Sequence, residues 1–401
     1  MRLPVVFILI TVMIDAMGVG LMIPVMPDLI QEVTGGDLAN AALWGGVLAT
    51  IFAVMQFLFG PVIGNLSDRF GRRPVLLISL VVMAADYVVM AVAGSIWLLL
   101  IGRVIGGITS ATQSTASAYM ADISDPDKKA QNFGLVGAAF GLGFVIGPLM
   151  GGVLGEWGTR APFWAAAGLA AANAVLGYFV LRETVTDSIR RPFEWARANP
   201  LGAFKSLGRF PGLGRLFAVF FLYQVAFFVY PAIWAYYGQA RVGWNAGMIG
   251  LSLGLFGIMM AVVQGGLIRV ILARLGTRGT VIYGLVFDIF AFGALAFVTS
   301  GTIALILTPL AALGAVITPA LQGIMSEAVG DKRQGELQGA LTSVGAVAMI
   351  VSPMIMTSVF AQFTGVEAVV YFPGAPFLVS LALIVLALIV FLSPRRFAVT
   401  A

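Results

Sequence analysis

Twelve stretches of about twenty residues, each nearly free of charge, follow one another along the chain with mostly short gaps between them. They begin near Pro4, Ala42, Val75, Ser95, Gln131 and Pro162, and then near Arg215, Ala246, Gly279, Gly301, Gly335 and Pro373. At a rise of about 1.5 Å per residue, each is long enough to cross a hydrocarbon layer about 30 Å thick as a helix. Lipid offers no partner to backbone N–H and C=O groups, so stretches of this length form helices rather than strands or loops. The expected fold class is an all-α membrane protein of twelve transmembrane helices. A chain that is 60% hydrophobic and only 10% charged, with a mean hydropathy of +1.00, leaves little room for a soluble alternative.

The basic residues give the orientation. With the N-terminus inside, 20 of the 23 Lys and Arg fall on the cytoplasmic side. They are Arg2, Arg69, Arg72, Arg73, Lys128, Lys129, seven between Arg182 and Arg215, Arg269, Arg274, Arg278, Lys332, Arg333, Arg395 and Arg396. Only Arg160 and Arg241 fall outside, and Arg103 lies within a span. An excess of this kind places both termini in the cytoplasm of a multi-pass cell (inner) membrane protein. The net charge of +5 is therefore a topology signal and does not imply nucleic-acid binding. The first apolar segment has no A-x-A-like cleavage site and reads as a span, not a signal peptide. Cysteine and histidine are absent, which removes disulfides, thiol chemistry and the usual zinc and haem ligands, and no cofactor is expected.

Sliding the chain against itself by 205 residues sets Pro148 on Pro353, Arg69 on Arg274, Gly71 on Gly276 and Gly134 on Gly339. The loops DPDKKAQNFG and GDKRQGELQG coincide under the same shift. The organisation read from this is two pseudo-symmetric six-helix halves, 1–181 and 215–401, joined by a cytoplasmic linker, 182–214. Phe193, Trp195, Phe204 and Leu207 among the linker's basic residues suit a membrane surface. Repeated halves around a midplane site are a common plan of secondary transporters.

Four ionisable residues lie well inside spans: Asp15, Asp86, Arg103 and Asp288. A charge at mid-bilayer costs about 2.5 to 3.5 kcal/mol or more, so it needs a partner, water or a proton. One reading is a structural ion pair between helices; the other is a functional site. Asp15 and Asp288 are each about ten residues from the cytoplasmic start of their spans, near mid-depth. There, a carboxylate takes a proton when desolvated and loses it when a cation approaches, which is what coupling to a proton gradient requires. Arg103 is the natural counter-ion, and its partner is left open. Gln56, Gln113, Gln264, Gln322 and Asn173 are the polar uncharged side chains within spans, each a candidate for a helix–helix hydrogen bond or a ligand contact.

Two loops and stripes carry pattern beyond hydropathy. GNLSDRFGRRP, Gly64 to Pro74, gathers Asp68, Arg69, Arg72 and Arg73 around Gly71 in a tight turn between two helix ends. Asp122, at the end of span 4, offers those arginines a partner, and Asp68 has the chemistry of a helix N-cap. Such a cluster suits a gate that is held in one state and released in another. GLGFVIGPLMGG places Gly143, Gly147 and Gly151 four apart, beside Pro148 and Gly152. Small residues at that spacing let helix backbones approach closely, and proline removes a backbone donor.

With these residues in view, the chain resembles the major facilitator superfamily throughout its length, and within it the drug/proton antiporters of the tetracycline exporter type. GNLSDRFGRRP is similar to the superfamily's loop signature between helices 2 and 3, LLIGRVIGG to its helix 4 motif, and GFVIGPLMGG to the helix 5 motif of antiporters. DAMGVGLMIPVMPDLI, FGLGFVIGP and PALQGIMSEAVGDKRQGELQGAL resemble the tetracycline exporters almost residue for residue. The resemblance implies transport roles for Asp15, Asp86, Arg103 and Asp288, and implies that helices 3 and 9 lie outside the central cavity. The chain departs from the family in helix 8, where LSLGLFGIMMAVVQGG has glycine near position 257 in place of a histidine tied to proton coupling. Asp15 and Asp288 are then the titrating groups near mid-depth.

The function expected is proton-coupled antiport that exports a small amphiphilic drug such as tetracycline by alternating access, with substrate, protons and the lipid bilayer as partners. A facilitator or importer of another small organic molecule, or a membrane receptor, are the alternatives on the same fold. An enzyme is disfavoured, because none of Lys128, Lys129, Lys205 and Lys332 sits in a phosphate-binding glycine loop. Nothing in the sequence demands more than a monomer.

Overall fold

The computed structural model describes residues 3–393, apart from 111, 126–127, 188–189, 196–197, 201, 203–207, 209, 211 and 331–332; the side chains of Thr112, Gln113 and Ala130 also lie outside the described set. Among the described residues the chain is helical and has no strand. Eleven helical runs among the described residues are long and apolar enough to cross a membrane. One of them, Ala246–Phe297, is 52 residues long, and the backbone breaks within it at Gly276, where φ is 66° and ψ is 173°. That break divides spans 8 and 9 and brings the total to twelve.

Span 1 is Leu3–Met22, followed by a short surface helix, Met26–Thr34. Spans 2 and 3 are Leu38–Phe70 and Arg72–Val92. Span 4 is described in two pieces, Ile96–Thr109 and Thr112–Ile123. Spans 5 and 6 are Lys129–Gly155 and Ala161–Val180. Span 7 comprises Gly214–Phe227 and Val229–Val242; span 8 begins at Ala246, and span 9 ends at Phe297. Span 10 comprises Gly301–Ala311, a 3-10 segment Ala312–Val316, and Ile317–Val329. Spans 11 and 12 are Gln334–Thr364 and Ala375–Leu392.

Two compact units emerge. One comprises Met1–Pro200 with Trp244–Gly254, the other Leu201–Gly243 with Leu255–Ala401. The 205-residue offset has local structural counterparts in both. Gly71 and Gly276 each adopt a positive φ, 111° and 66°, between consecutive spans. L side chains rarely adopt such backbone, which explains why glycine occupies both positions. Ser95 and Ser300, also 205 apart, each accept from the amide three residues on and cap spans 4 and 10. Pro148 and Pro353 both lie inside long helices.

Within the first unit, span 1 packs along span 5 and span 3 along span 6. The stripe Gly143, Gly147 and Gly151 makes the first of these contacts. A Cβ on Gly147 would come 2.6 Å from the carbonyl oxygen of Met17, and Cβ atoms on Gly143 and Gly151 would overlap those of Met13 and Leu21. Gly152 turns the other way, toward Ala246 and Gly250 at the start of span 8. Asn173 exchanges hydrogen bonds with Thr11 across spans 1 and 6, and so serves helix association.

The second unit has an aromatic core. Trp234, Tyr237, Phe292 and Phe377 are almost fully buried, and Tyr237 donates to the carbonyl of Leu295 at 2.6 Å. Outward-facing side chains in both units include Trp97, Phe179 and Phe290, more than half exposed, as lipid-facing residues are in a multi-pass membrane protein. In the linker, Trp195 is 77% exposed and stacks edge-on with Phe193 at 5.0 Å, while Phe204 and Leu207 lie outside the described residues.

Candidate functional site

Arg103 enters from span 4 and is 8% exposed; Asp86 enters from span 3 and is 3% exposed. Their closest approach is 3.7 Å, Nη2 to Oδ2. The carboxylate is accommodated by two glycines of span 4, since a Cβ on Gly102 or Gly106 would come within 2.8 and 2.6 Å of its oxygens. The guanidinium lies over the ring of Phe52, 5.0 Å from its centroid, and Nη2 points at the sulfurs of Met90 and Met22, at 2.8 and 3.4 Å. Asp86 Oδ1 and Arg103 Nε are buried with no hydrogen-bond partner. A buried ion pair is favourable only when its remaining lone pairs and protons are satisfied, so this pair carries an uncompensated desolvation cost.

Asp15 on span 1 is half-buried and is not Arg103's ion-pair partner. The hydroxyl of Tyr87 on span 3 lies within the electrostatic reach of Asp15, Arg103 and Asp86. Tyr87 fits because Gly18, one turn beyond Asp15, has no side chain to meet its hydroxyl. Asp288, in the other unit, is 5% exposed, and among the described residues no basic side chain pairs with it. Gln56 and Gln322 are partly buried, and Gln264 is exposed within a π-helical turn, Val263–Leu267. The side chain of Gln113 lies outside the described residues.

The turn between spans 2 and 3 forms a second cluster. Arg72 Nη1 meets Asp68 at 2.5 Å and donates to Ser67 Oγ at 2.6 Å, and its Nε donates to Asp122 at 3.3 Å. Ser67 in turn donates to the carbonyl of Gly64. Arg73 donates to the carbonyl of Tyr178, and Arg69 lies over the ring of Phe70. Glu183, just past span 6, completes the cluster. Its carboxylate accepts from the backbone amides of Arg72 and Arg73, at 2.9 and 3.2 Å, at the N-terminus of span 3. A negative group complements the partial positive charge there. Any side chain at Gly71 would overlap that carboxylate. Asp122 also accepts from Thr184 Oγ1 at 3.0 Å.

Sequence reasoning singled out neither Tyr87 nor Glu183. Glu183 is separated from Arg72 by more than a hundred residues and follows no local motif. Tyr87 stands directly after Asp86, which was the one available signal.

Twelve spans, paired halves and ionisable groups held inside single spans define a polytopic membrane transporter, not an enzyme. The chain matches the Major Facilitator Superfamily over residues 8–353 and belongs to that family. It is 42% identical over 351 residues to the class C tetracycline resistance protein of Escherichia coli, covering 88% of each chain. It is 39% identical to the class G tetracycline resistance protein of Vibrio anguillarum, covering 91% of this chain and 92% of that one. Among solved structures, a bacterial homologue of the human lysosomal transporter Spinster superposes with a TM-score of 0.79 at 16% identity, covering 97% of this chain and 95% of the other, which bears on the fold alone.

Proposed function

We propose that the protein exports a tetracycline-like amphiphile across the inner membrane in exchange for protons. The observation that carries this reading is the pair of span aspartates, Asp15 and Asp288, that have no cationic partner among the described residues, in a chain 42% identical to a tetracycline resistance protein. An ionised carboxylate within a span needs a partner, and a proton supplied from one side and released on the other is the one that drives transport. In this scheme both termini are cytoplasmic, the halves are 1–181 and 215–401 with the linker 182–214 between them, and the working unit is a monomer.

Asp15 loses its proton to the cytoplasm as drug binds, and protonation from outside resets the carrier. Arg103 holds Asp86 in the resting arrangement and reaches the Asp15 side through Tyr87. Gln56, Gln113, Gln264 and Gln322 supply polar contacts. Gly64, Asp68, Arg69, Gly71, Arg72, Arg73 and Asp122 form the cytoplasmic gate. Gly143, Gly147, Pro148, Gly151 and Gly152 form the antiporter contact of span 5.

The test is proton release from purified protein in liposomes on adding tetracycline, with wild type beside Asp15→Asn. Release by wild type alone is the expected result. Full uphill export by Asp15→Asn would remove Asp15 from coupling, and silence in both would remove tetracycline as substrate.

A further inference from the structure

Span 10 changes its helical geometry at mid-length. It is α-helical over Gly301–Ala311, tightens to a 3-10 segment over Ala312–Val316, and resumes as α-helix at Ile317. Beside it, span 8 widens to a π turn at Val263–Leu267. The two irregular segments touch, with Val263 and Ile268 packed on Val316 and with Leu267 and Leu313 at the edge of the same cluster. Neither irregularity helps a helix cross a membrane. Short 3-10 and π segments inside longer helices often mark hinges and functional sites.

Asp288, on span 9, sets its carboxylate against the tightened segment. A Cβ on Gly314 would coincide with the Asp288 carboxylate, so the third residue of the 3-10 segment is a seat that only glycine provides. Two hydroxyls of span 7 lie within electrostatic reach of Asp288, those of Tyr223 and Tyr230, and Tyr283 of span 9 is a third. The Tyr223 hydroxyl also lies within reach of the Thr318 side chain, just after the 3-10 segment where span 10 resumes.

Among the described residues, the other elements packed on span 9 bring no charge to this point, and Gly301–Val316 of span 10 contains no ionisable residue. Span 12 has no ionisable residue, the π turn offers only Gln264, and Glu327 lies at the far end of Ile317–Val329. The contrast with the first unit is direct. Asp86 has an equivalent seat on Gly102 and Gly106 of span 4, but Arg103 stands beside it. The repeat thus contains two glycine seats for a carboxylate, one with a fixed cation and one without.

Resting on the reading that Asp288 carries a coupled proton, we propose that Gly314, Tyr223 and Tyr230 are positioning residues for that proton. They seat the carboxylate over the 3-10 segment, through which its gain or loss is passed to spans 8 and 10. A protonated carboxyl donates to a tyrosine hydroxyl and rests against the 3-10 backbone; an ionised one demands a donor and draws on the same hydroxyls. The backbone of residues 312–316 is where the two states differ.

The test uses the full chain in liposomes and has two readouts. The first is drug-free: hydrogen exchange at amides 312–316, measured on either side of neutrality. Protection should change with pH in wild type and lose that dependence in Asp288→Asn. The second is the pH profile of proton-driven tetracycline transport for Tyr223→Phe and Gly314→Ala. Tyr223→Phe keeps the ring and is expected to move the midpoint by about half to one pH unit, the effect of one hydrogen bond, at unchanged drug affinity. Gly314→Ala is expected to move it further and to slow turnover, and Tyr223→Phe keeps the test open if that variant does not fold. Wild-type pH profiles in both variants, with Asp288→Asn uncoupled, would overturn the positioning roles and leave the coupling reading intact. Coupled uphill transport by Asp288→Asn would overturn both.

Discussion

Arg103 approaches Asp86 no closer than 3.7 Å, while the same nitrogen lies 2.8 Å from the sulfur of Met90. Arg103, deep within span 4, therefore shares its charge between a carboxylate and soft acceptors, and one polar atom on each partner is left without a hydrogen bond. The pair is therefore costly to bury as it stands, and each partner depends on the other.

Removing one member of this pair strands the other. Asp86→Ala and Arg103→Ala are each expected to destabilise the protein by about 3 to 5 kcal/mol, as for other buried pairs broken on one side. The double variant Asp86→Ala with Arg103→Ala should lose less than the sum of the two, because no uncompensated charge remains. Thermal unfolding of the purified variants in detergent checks both; equal losses that simply add would show that the two residues act independently.

Glu183 contributes through the N-terminus of span 3. Glu183→Gln keeps its shape and loses its charge, and is expected to cost about 1 kcal/mol of stability in that element. If the gate depends on this tie, turnover falls several-fold while equilibrium drug binding stays near wild type. A binding isotherm beside a transport rate separates the two, and lost affinity with normal turnover would place Glu183 elsewhere.

Gly151 meets the backbone of Leu21 with no room for a side chain. Gly151→Val should force spans 1 and 5 apart at a cost of about 1 to 3 kcal/mol. The change is measurable as reduced thermal stability. Because the chain contains no cysteine, single cysteines introduced on the two helices would also report the separation by cross-linking.

Outside the spans, Glu32 on the Met26–Thr34 helix accepts from Thr159 Oγ1 at 2.7 Å and from Arg160, which also donates to the carbonyls of Ala91 and Ala93. The Thr159 hydroxyl and the Arg160 guanidinium hold its carboxyl below the ordinary value of 4.5. A depressed value in the folded state means that the stabilisation is present above about 4.5 and is lost as the pH falls through the folded value. Glu32→Gln should therefore be less stable than wild type near neutrality, and the gap should close on acidification. A thermal-shift series over pH reads this directly, and a gap independent of pH would contradict it.

The two glycine-ended turns show why much of the fold was legible. The 205-residue offset pairs Gly71 with Gly276, and both positions require positive φ between spans, a demand that is local and leaves its mark in residue type. The pairing of Asp68 with Arg72 was likewise readable, because helix ends joined by a tight turn lie close together whatever surrounds them, and Asp122 was legible as a carboxylate at the same cytoplasmic end of span 4. The partner of Arg103 was not readable from one sequence, since Asp15 and Asp86 stand on different helices and both are within its possible reach.

By itself the sequence determined the twelve spans, the repeat, the glycine stripe of span 5 and the few charges that needed an explanation. The cause is the bilayer, which requires about twenty apolar residues per crossing and makes every charge inside one expensive. Only the tertiary structure decided that Arg103 turns to Asp86, that Glu183 reaches the N-terminus of span 3, and that Asp288 rests on Gly314 where span 10 tightens. Helices that are apolar on every side carry little periodicity to say which face meets which neighbour, so those pairings are set by packing between spans distant in sequence.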